Sequence, residues 1–343
     1  MSEQDTVRVG LLAYGAIGHE HNLAVQATDG LELTAVADLN PERVAAAKEI
    51  APAAKGFADA EEMLDSGLID LVVVSTPPNT HAHWATQALK RGLHVVLEKP
   101  MALTSDECDE LIELAQVNER LLVVYQNRRF DADFVTLRSV INQGRIGEAF
   151  QFESFVGGYS RPCDYWHSDA AISGGAIFDW GSHYIDQILN LFSEPIAHVT
   201  GINHKRLWHH ATNADHAQVT ITFVGGKQAT FVHSDLAAAR RPKYYVLGTS
   251  GAIVADWDPR AEPAVADLPA ILTLHLPEAP STTVELQNIE PYEFHRELSA
   301  YLHAGTPMQV STAQSRDVVA VMEAAELSAS SGSKPVTPKL LTR

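Results

Sequence analysis

Five short runs of apolar residues, separated by amphipathic segments, dominate the first third of this chain. The runs are nearly continuous in Val, Leu and Ile instead of alternating with polar residues, which is typical of strands buried on both faces of a parallel sheet. They occupy residues 7–13, 31–37, 69–75, 94–97 and 121–125. The repeated order of strand, helix and strand predicts a doubly wound α/β domain.

The segments between these runs carry helix start signals. They occupy residues 17–28, 41–50, 60–65, 80–91 and 105–119. Asn40 stands before Pro41, and Thr104 stands before an acidic first turn, so both are suited to cap a helix N-terminus. These segments predict the connecting helices of an N-terminal Rossmann domain with a parallel sheet, over residues 1–127.

The rhythm changes after Phe130. A helix is predicted over residues 131–143, and further on Val219, Ile221 and Phe223 alternate with threonines before a hairpin turn at 225–226. Other strand-like segments and two late helices occupy residues 148–155, 228–233, 244–247, 252–255, 271–276, 283–286, 292–304 and 312–328. We therefore predict a C-terminal α+β domain, residues 128–343, with a large, mostly antiparallel open sheet and an extended tail over 332–343. One sheet face would lie under a helix, and the other would be free to pair with another subunit.

Charge and cysteine content exclude several classes of partner. The chain has 25 Lys and Arg against 43 Asp and Glu, and the formal charge of −18 would repel nucleic acid and anionic membranes. No apolar run reaches the roughly 18 residues that span a bilayer, and residues 1–6 lack the features of a signal peptide. Cys108 and Cys163 have no metal-ligand spacing. We expect a cytoplasmic protein without a metal site and without a nucleic-acid or membrane partner.

A loop with two glycines follows the first apolar run. Its residues, which we predict to bind a cofactor, are Tyr14, Gly15, Ala16, Ile17 and Gly18. Glycines at such a place permit a tight turn, close approach to a pyrophosphate and close packing of helix on strand. Ala13 stands where the first glycine of the G-x-G-x-x-G pattern is usual, so an ordinary strand–helix turn is an alternative.

Asp38 ends the second run, 20 residues beyond Gly18. A carboxylate there can accept hydrogen bonds from the ribose hydroxyls of adenosine, and it would repel a 2′-phosphate. The nearest following arginine is Arg43, so NAD is favoured over NADP. A capping or turn role is the alternative explanation of Asp38.

Two further loops follow predicted strands at their carboxyl ends, where ligands bind in open α/β sheets. The first carries the candidate cofactor-binding residues Thr76, Pro77, Asn79 and His81. Alternatively, its prolines end the strand and Asn79 caps the next helix. The second loop is Glu98-Lys99-Pro100, which puts a charged pair beside the expected nicotinamide position. Most lysines are exposed to solvent and have no functional role. Lys99 is a candidate functional residue because of its position at the end of a strand.

A glycine-rich segment over residues 174–186 contains the remaining candidate catalytic residues. Read as a helix, it places Asp179 and His183 one turn apart on one face, away from an apolar stripe. Its glycines at 174, 175 and 181 would each cost about 1 kcal/mol in a helix interior, which indicates that a ligand or backbone approaches closely. Asp186, a turn later, is either a partner of His183 or an exposed helix carboxylate.

These motifs, in this order, resemble the glucose-fructose oxidoreductase and inositol dehydrogenase (Gfo/Idh/MocA) family of NAD(P)-dependent oxidoreductases. The resemblance covers nearly the whole chain, including Asn127-Arg128-Arg129-Phe130 and the late helix from Tyr292. It depends on the glycine loop with Asp38, on Glu98-Lys99-Pro100, and on the pattern Gly-Gly-x-x-x-Asp-x-Gly-x-His that ends at His183.

The resemblance implies roles for these residues. Lys99 contacts the reacting hydroxyl and the nicotinamide ribose, His183 is the general base, and Asp179 orients the substrate or the base. Glu98 positions Lys99, Glu98 and Asn127 both join the cofactor-binding residues, and the Lys99–Pro100 bond is cis. His19, His21, His209 and His210 are expected to be capping, surface or core residues.

The predicted function is an NAD-dependent oxidoreductase that transfers a hydride between nicotinamide and a secondary hydroxyl of a sugar, an inositol or a sugar derivative. One alternative is a tightly bound NAD used for transient oxidation in glycosidic cleavage or sugar interconversion. Another is a non-catalytic, ligand-sensing regulator, which the joint presence of Lys99, Asp179 and His183 disfavours. The resemblance also implies a homodimer or homotetramer formed through the C-terminal sheet.

Overall fold

The computed structural model describes residues 6–261 and 268–341. The chain divides into two compact units. One contains the described residues up to Gln126 together with Glu290–Arg316, and the other contains Asn127–Ile289 and the described residues from Asp317 onward. Residues 1–5, 262–267 and 342–343, which fall within the predicted domains and the predicted tail, lie outside the described part of the chain.

A six-stranded parallel sheet forms the centre of the first unit, with the spatial order β3-β2-β1-β4-β5-β6. The strands are β1 (Val7–Leu12), β2 (Leu31–Ala37), β3 (Lys55–Phe57), β4 (Leu71–Val74), β5 (His94–Leu97) and β6 (Leu122–Val124). The helices between them are α1 (Ala16–Gln26), α2 (Pro41–Ile50), α3 (Ala60–Leu64), α4 (His81–Lys90) and α5 (Ser105–Val117). The doubly wound fold is confirmed, and the strand order reverses between β1 and β4, where such sheets bind ligands.

Local sequence explains most of this unit. The side chain of Asn40 caps α2 by accepting a hydrogen bond from Glu42, and Thr104 and Glu107 form a capping box at α5, as predicted. The strand β3 was not predicted, because it has only three residues and two of them, Lys55 and Gly56, are exposed. An exposed edge strand leaves no apolar run in the sequence.

An eight-stranded sheet forms the second unit, with the order β14-β13-β12-β11-β7-β10-β9-β8. The strands are β7 (Ala149–Gly157), β8 (Ile196–His204), β9 (His216–Phe223), β10 (Gln228–Ser234), β11 (Tyr244–Gly248), β12 (Gly251–Asp256), β13 (Ile271–His275) and β14 (Thr282–Thr283). The helices are α6 (Ala132–Asn142), α7 (Ala170–Ser173) and α8 (Ala176–Leu191). Strands β7 and β10 pair in parallel and the other neighbours are antiparallel, which confirms the mostly antiparallel sheet.

The two faces of this sheet differ in character. On one face α8 packs against β9 and β10, where Val219, Ile221 and Phe231 are fully buried. On the other face the alternating residues Gln218 and Thr220 are half-buried and polar. Strand β8 was not predicted, because an irregularity in its pairing near its start interrupts the period-two pattern.

The segment 290–316 differs from the predicted division into 1–127 and 128–343, because it packs with the first unit. It contains α9 (Glu293–Ala304) and the start of α10 (Thr312–Ser330). The Ser299 hydroxyl donates to the carbonyl of Asp29 at 2.7 Å, and the Arg316 guanidinium pairs with Asp109 at 2.7 Å. A prediction that assigns each domain to one continuous stretch of sequence cannot anticipate such long-range contacts.

Within residues 6–261 and 268–341, no helix has both the length and the apolar character that a membrane crossing requires. No group of three or more His, Cys, Asp and Glu side chains there is arranged to hold a metal ion.

Candidate active site

In the loop between β1 and α1, the geometry explains each small residue in a different way. Ala13 has a φ of 70°, in the left-handed region that favours glycine. A Cβ added at Gly18 would lie 2.8 Å from the carbonyl oxygen of Ala13, so packing of α1 on β1 requires this glycine. Gly15 has an ordinary φ of −86°, and a Cβ added there would meet nothing within 4 Å. The fold itself therefore does not require Gly15.

The open space at Gly15 fits a phosphate group. Gly15 is the N-cap of α1, and the first turn of this helix, which starts with Ala16 and Ile17, carries no acidic side chain. The N-terminal N–H groups of a helix and its dipole favour an anion at this place. The residues of the loop therefore fit the pyrophosphate of a dinucleotide.

Asp38 lies directly after β2, and its side chain is buried. Its carboxylate accepts hydrogen bonds from the N–H of Tyr14 at 2.7 Å and from the N–H of Asn40 at 2.8 Å, while Arg43 lies 3.7 Å away. The turn role that was the alternative is thus present, and Asp38 also fastens the glycine loop to β2. Each carboxylate oxygen has two lone pairs, so both can still accept from ribose hydroxyls.

His81 organises the loop after β4. Its Nδ1 lies 2.7 Å from the carbonyl oxygen of Pro100, and its Nε2 lies 2.8 Å from that of Thr76. Burial lowers the pKa of His81, and the two carbonyl contacts oppose this shift. The side chain therefore ties the β4 loop, which carries Thr76 and Pro77, to the loop after β5.

Asn79 does not cap the following helix, so that alternative is wrong. A short 3₁₀ turn, Pro78–Thr80, precedes α4, and Thr80 is the residue at the N-cap. The turn moves the start of the helix to His81 and leaves the Asn79 side chain exposed.

The loop after β5 places Glu98 and Lys99 differently. Glu98 is 7% exposed, and its Oε1 lies 3.0 Å from Nε2 of His21, whereas its Oε2 accepts from the backbone N–H of Lys99 at 3.2 Å. Lys99 is half-buried, and the Lys99–Pro100 bond is cis, as the family resemblance implies. Glu98 therefore holds the backbone of Lys99.

In the second unit, α8 carries both Asp179 and His183, one turn apart as predicted. His183 is 6% exposed, and its ring lies 5.9 Å from that of Trp180. The neighbouring glycines have structural reasons of their own. Gly174 and Gly175 have φ values of 84° and 99° in the turn between α7 and α8.

The interior glycine of α8 is explained by packing. A Cβ at Gly181 would lie 3.3 Å from the Phe231 ring, so this glycine lets α8 lie close to β10. The sequence led us to expect the approach of a ligand or a backbone, whereas the group that lies close to Gly181 is a side chain of the sheet.

Asp186 does not fit one of the two explanations given from sequence, that of an exposed helix carboxylate. It is 1% exposed, so it is not a surface carboxylate, and it forms a buried ion pair with Arg129. Arg129 belongs to a 3₁₀ turn, Asn127–Phe130, in which Asn127 is half-buried and Arg128 lies over the Trp180 ring. This motif therefore supports α8 within the second unit.

Sequence reasoning missed several polar residues near these groups. Asp235 follows β10, and burial raises its pKa, opposed by His233 at 3.6 Å and reinforced by the charges of Asp215 and Asp179. In the first unit, His21 and His295 contact each other behind Glu98 at 3.0 Å. Asp235 could have been found, since it follows a strand directly as Glu98 does. Nothing local marks the pairing of His21 with His295.

Comparison with known proteins agrees with this geometry. The model described as "Oxidoreductase family, NAD-binding Rossmann fold" matches residues 7–126, and the GFO/IDH/MocA C-terminal domain matches residues 134–254. The chain is 26% identical over 339 residues to scyllo-inositol 2-dehydrogenase (NADP(+)) of Bacillus subtilis, covering 94% of this chain and 93% of that one. It is 32% identical over 257 residues to inositol 2-dehydrogenase of Rhizobium meliloti, covering 73% and 76%.

A solved structure gives the same result. The NAD-binding protein from Listeria innocua superposes with a TM-score of 0.85 at 27% identity, over 97% of both chains. The chain therefore belongs to the Gfo/Idh/MocA family of NAD(P)-binding oxidoreductases.

Proposed function

We propose that this protein is a dehydrogenase that transfers a hydride between NAD and a secondary hydroxyl of a sugar, an inositol or a sugar derivative. The observation that carries the proposal is Gly15, a glycine that the fold does not need and that leaves space for a phosphate beside α1. The same chain also has Lys99, Asp179 and His183, to which the family resemblance assigns catalytic roles. The names of the two inositol dehydrogenases above support a polyol as substrate.

The chemistry assigns one task to each side chain. Oxidation of a secondary alcohol removes a proton from oxygen while a hydride leaves carbon, and the nicotinamide ring, when bound, supplies the hydride acceptor. His183 takes the proton, since a neutral imidazole can accept a proton at neutral pH. Lys99 stabilises the developing negative charge on oxygen, and Asp179 orients His183 or the substrate.

Absorbance of the reduced cofactor tests this function directly. Purified protein is incubated with NAD or NADP and a panel of inositols, aldoses and sugar derivatives. Lys99→Met and His183→Asn should each lower kcat about 100-fold or more. The matched controls Lys90→Met and His83→Asn alter exposed residues of α4 and should stay within about twofold of the parent. If the first pair turns over like the controls, the catalytic assignment is wrong.

The alternatives give other results in the same experiment. A cofactor that copurifies with the protein and shows no net reduction would favour transient oxidation by a permanently bound NAD. Tight binding of a polyol without any turnover, unaffected by Lys99→Met, would favour a sensor.

We also propose that the polar face of the second sheet, opposite α8, pairs with a second copy of the chain. Half-buried residues such as Gln218 and Thr220 lie on this face. Thr220→Arg should therefore lower the mass measured by light scattering to that of a monomer, because two copies would bring buried charges together. An unchanged mass would place the interface elsewhere.

A further inference from the structure

Three buried polar side chains form a continuous chain behind Lys99 in the first unit. His21 comes from α1, Glu98 follows β5, and His295 comes from α9. The Nε2 atom of His21 lies 3.0 Å from Oε1 of Glu98, and its Nδ1 lies 3.0 Å from Nε2 of His295. We call Glu98, His21 and His295 the imidazole chain.

The imidazole chain is sealed from solvent. His21 is 0% and His295 1% exposed. The ring of Tyr125 lies 4.4 Å from that of His21 and 5.4 Å from that of His295, and Phe294 packs edge-on against Tyr125 at 4.9 Å. Burying three such groups costs free energy that apolar side chains of similar volume would not cost, unless the hydrogen bonds are well formed. A purely structural core at this place would not need them.

The donor and acceptor capacities of these groups determine which nitrogen of each histidine ring carries a proton. An ionised Glu98 can only accept, so Nε2 of His21 is the donor. A neutral His21 then has a bare Nδ1, which accepts from Nε2–H of His295, and Nδ1 of His295 is bare in turn. That atom has no hydrogen-bond partner among the described residues, which suits a bare nitrogen better than an N–H, because buried N–H groups without a partner are rare. Burial, reinforced by His21, holds the pKa of His295 well below its usual range.

We propose that His21 and His295 are positioning residues, which hold the Glu98 carboxylate in place so that its second oxygen holds the backbone of the catalytic Lys99. The contact that transmits the effect is the hydrogen bond from the N–H of Lys99 to Oε2 of Glu98, at 3.2 Å. The role of Lys99 rests on the proposed function, whereas the imidazole chain itself does not.

Nitrogen NMR of the ¹⁵N-histidine-labelled full chain tests the proton arrangement without any substrate. Loss of signals in His21→Gln and His295→Gln assigns the two rings. At pH 7 both should be neutral, each with a protonated Nε2 and a pyridine-type Nδ1. A protonated Nδ1 on His295, or a doubly protonated His21, would overturn the proposed chain.

A matched pair of variants tests the positioning role. The amide of His21→Gln can still donate to Glu98 and accept from His295, whereas His21→Leu can do neither. Hydrogen exchange at the Lys99 amide should accelerate at least tenfold in His21→Leu and stay within about threefold of the parent in His21→Gln. With a polyol that turns over, kcat should fall at least tenfold in the Leu variant, with KM values within about threefold, because misplaced groups lose rate more than binding.

The outcomes separate the two proposals. Equal exchange at Lys99 in both variants and the parent overturns the positioning role, whatever the activity. If no polyol is oxidised by the parent but the tautomers and the exchange rates are as stated, the proposed function fails and the imidazole chain stands. Melting temperatures of both variants show whether each is folded.

Discussion

Gly15 and Gly18 lie three residues apart, yet they are glycines for different reasons. Gly18 allows α1 to pack on β1, since a Cβ would lie 2.8 Å from a backbone oxygen. Gly15 has no such neighbour, so we attribute it to the approach of a phosphate. At the scale of single residues, the structure therefore separates a glycine that packing requires from one that packing does not require.

The first prediction uses this difference. Gly15→Ala should change the free energy of unfolding by less than about 1 kcal/mol, because only the N-cap preference of α1 is altered. Its Kd for NADH, measured by fluorescence, should rise tenfold or more. Gly18→Ala should instead lower the stability by about 1–3 kcal/mol through overpacking. If a folded Gly15→Ala protein bound NADH with unchanged affinity, the proposal that a cofactor phosphate lies at this loop would be wrong.

The second prediction concerns the carboxylate of Asp38. Asp38→Asn keeps an oxygen that can accept from one of the N–H groups of Tyr14 and Asn40, but it removes the charge that would repel a 2′-phosphate. The ratio of kcat/KM for NAD to that for NADP should therefore fall about tenfold or more. A ratio that stays constant would mean that Asp38 serves only the turn.

At the scale of elements, α8 is held by an ion pair that sequence could not reveal. Asp186 on the helix and Arg129 in the preceding 3₁₀ turn are both almost fully buried. The Gln187 amide also donates to the carbonyl of Arg128 at 2.9 Å. These contacts fix the helix that presents Asp179 and His183, so we expect the pair to affect folding first and catalysis second.

The third prediction tests this pair. Asp186→Ala leaves the Arg129 guanidinium buried without its carboxylate, and should lower the free energy of unfolding by about 3–5 kcal/mol. The control Glu110→Ala alters an exposed carboxylate of α5 and should change it by less than about 0.5 kcal/mol. Urea denaturation of both proteins measures the difference. Similar losses in the two variants would contradict the assigned importance of the ion pair.

At the scale of the whole molecule, buried histidines connect stability to pH. Burial lowers the pKa of both His81 and His295, so these rings resist protonation in the folded chain, whereas in the unfolded chain they titrate near 6.5. The unfolded state therefore binds more protons as pH falls. Their stabilising contribution is complete above about pH 6.5 and is lost as pH falls from there towards the folded pKa values.

The fourth prediction follows from this linkage. The free energy of unfolding, measured in urea between pH 8 and pH 5, should decrease below about pH 6.5, with a slope of up to about 1.4 kcal/mol per pH unit for each such histidine. His295→Gln should make this slope shallower, even if it lowers stability at pH 8. An unchanged slope would show that His295 titrates alike in both states.

Local patterns were sufficient for much of the fold. The buried runs that became β1, β2, β4, β5 and β6 were visible because parallel strands are apolar on both faces. The caps Asn40 and Thr104 were visible because N-cap chemistry lies within four residues. The strands β3 and β8 were missed, since an exposed edge strand and a strand with irregular pairing lose the periodic signal.

The sequence by itself determined the doubly wound first sheet, the mostly antiparallel second sheet and the order of the glycine loop, the Lys99 motif and the Asp179–His183 helix, because each depends on neighbours along the chain. Only the tertiary structure decided that residues 290–316 pack with the first unit, that Arg129 neutralises Asp186, and that His21 and His295 line up behind Glu98. These contacts join residues up to 274 positions apart. They arise from burial and hydrogen-bond pairing in the folded chain, which no local pattern records.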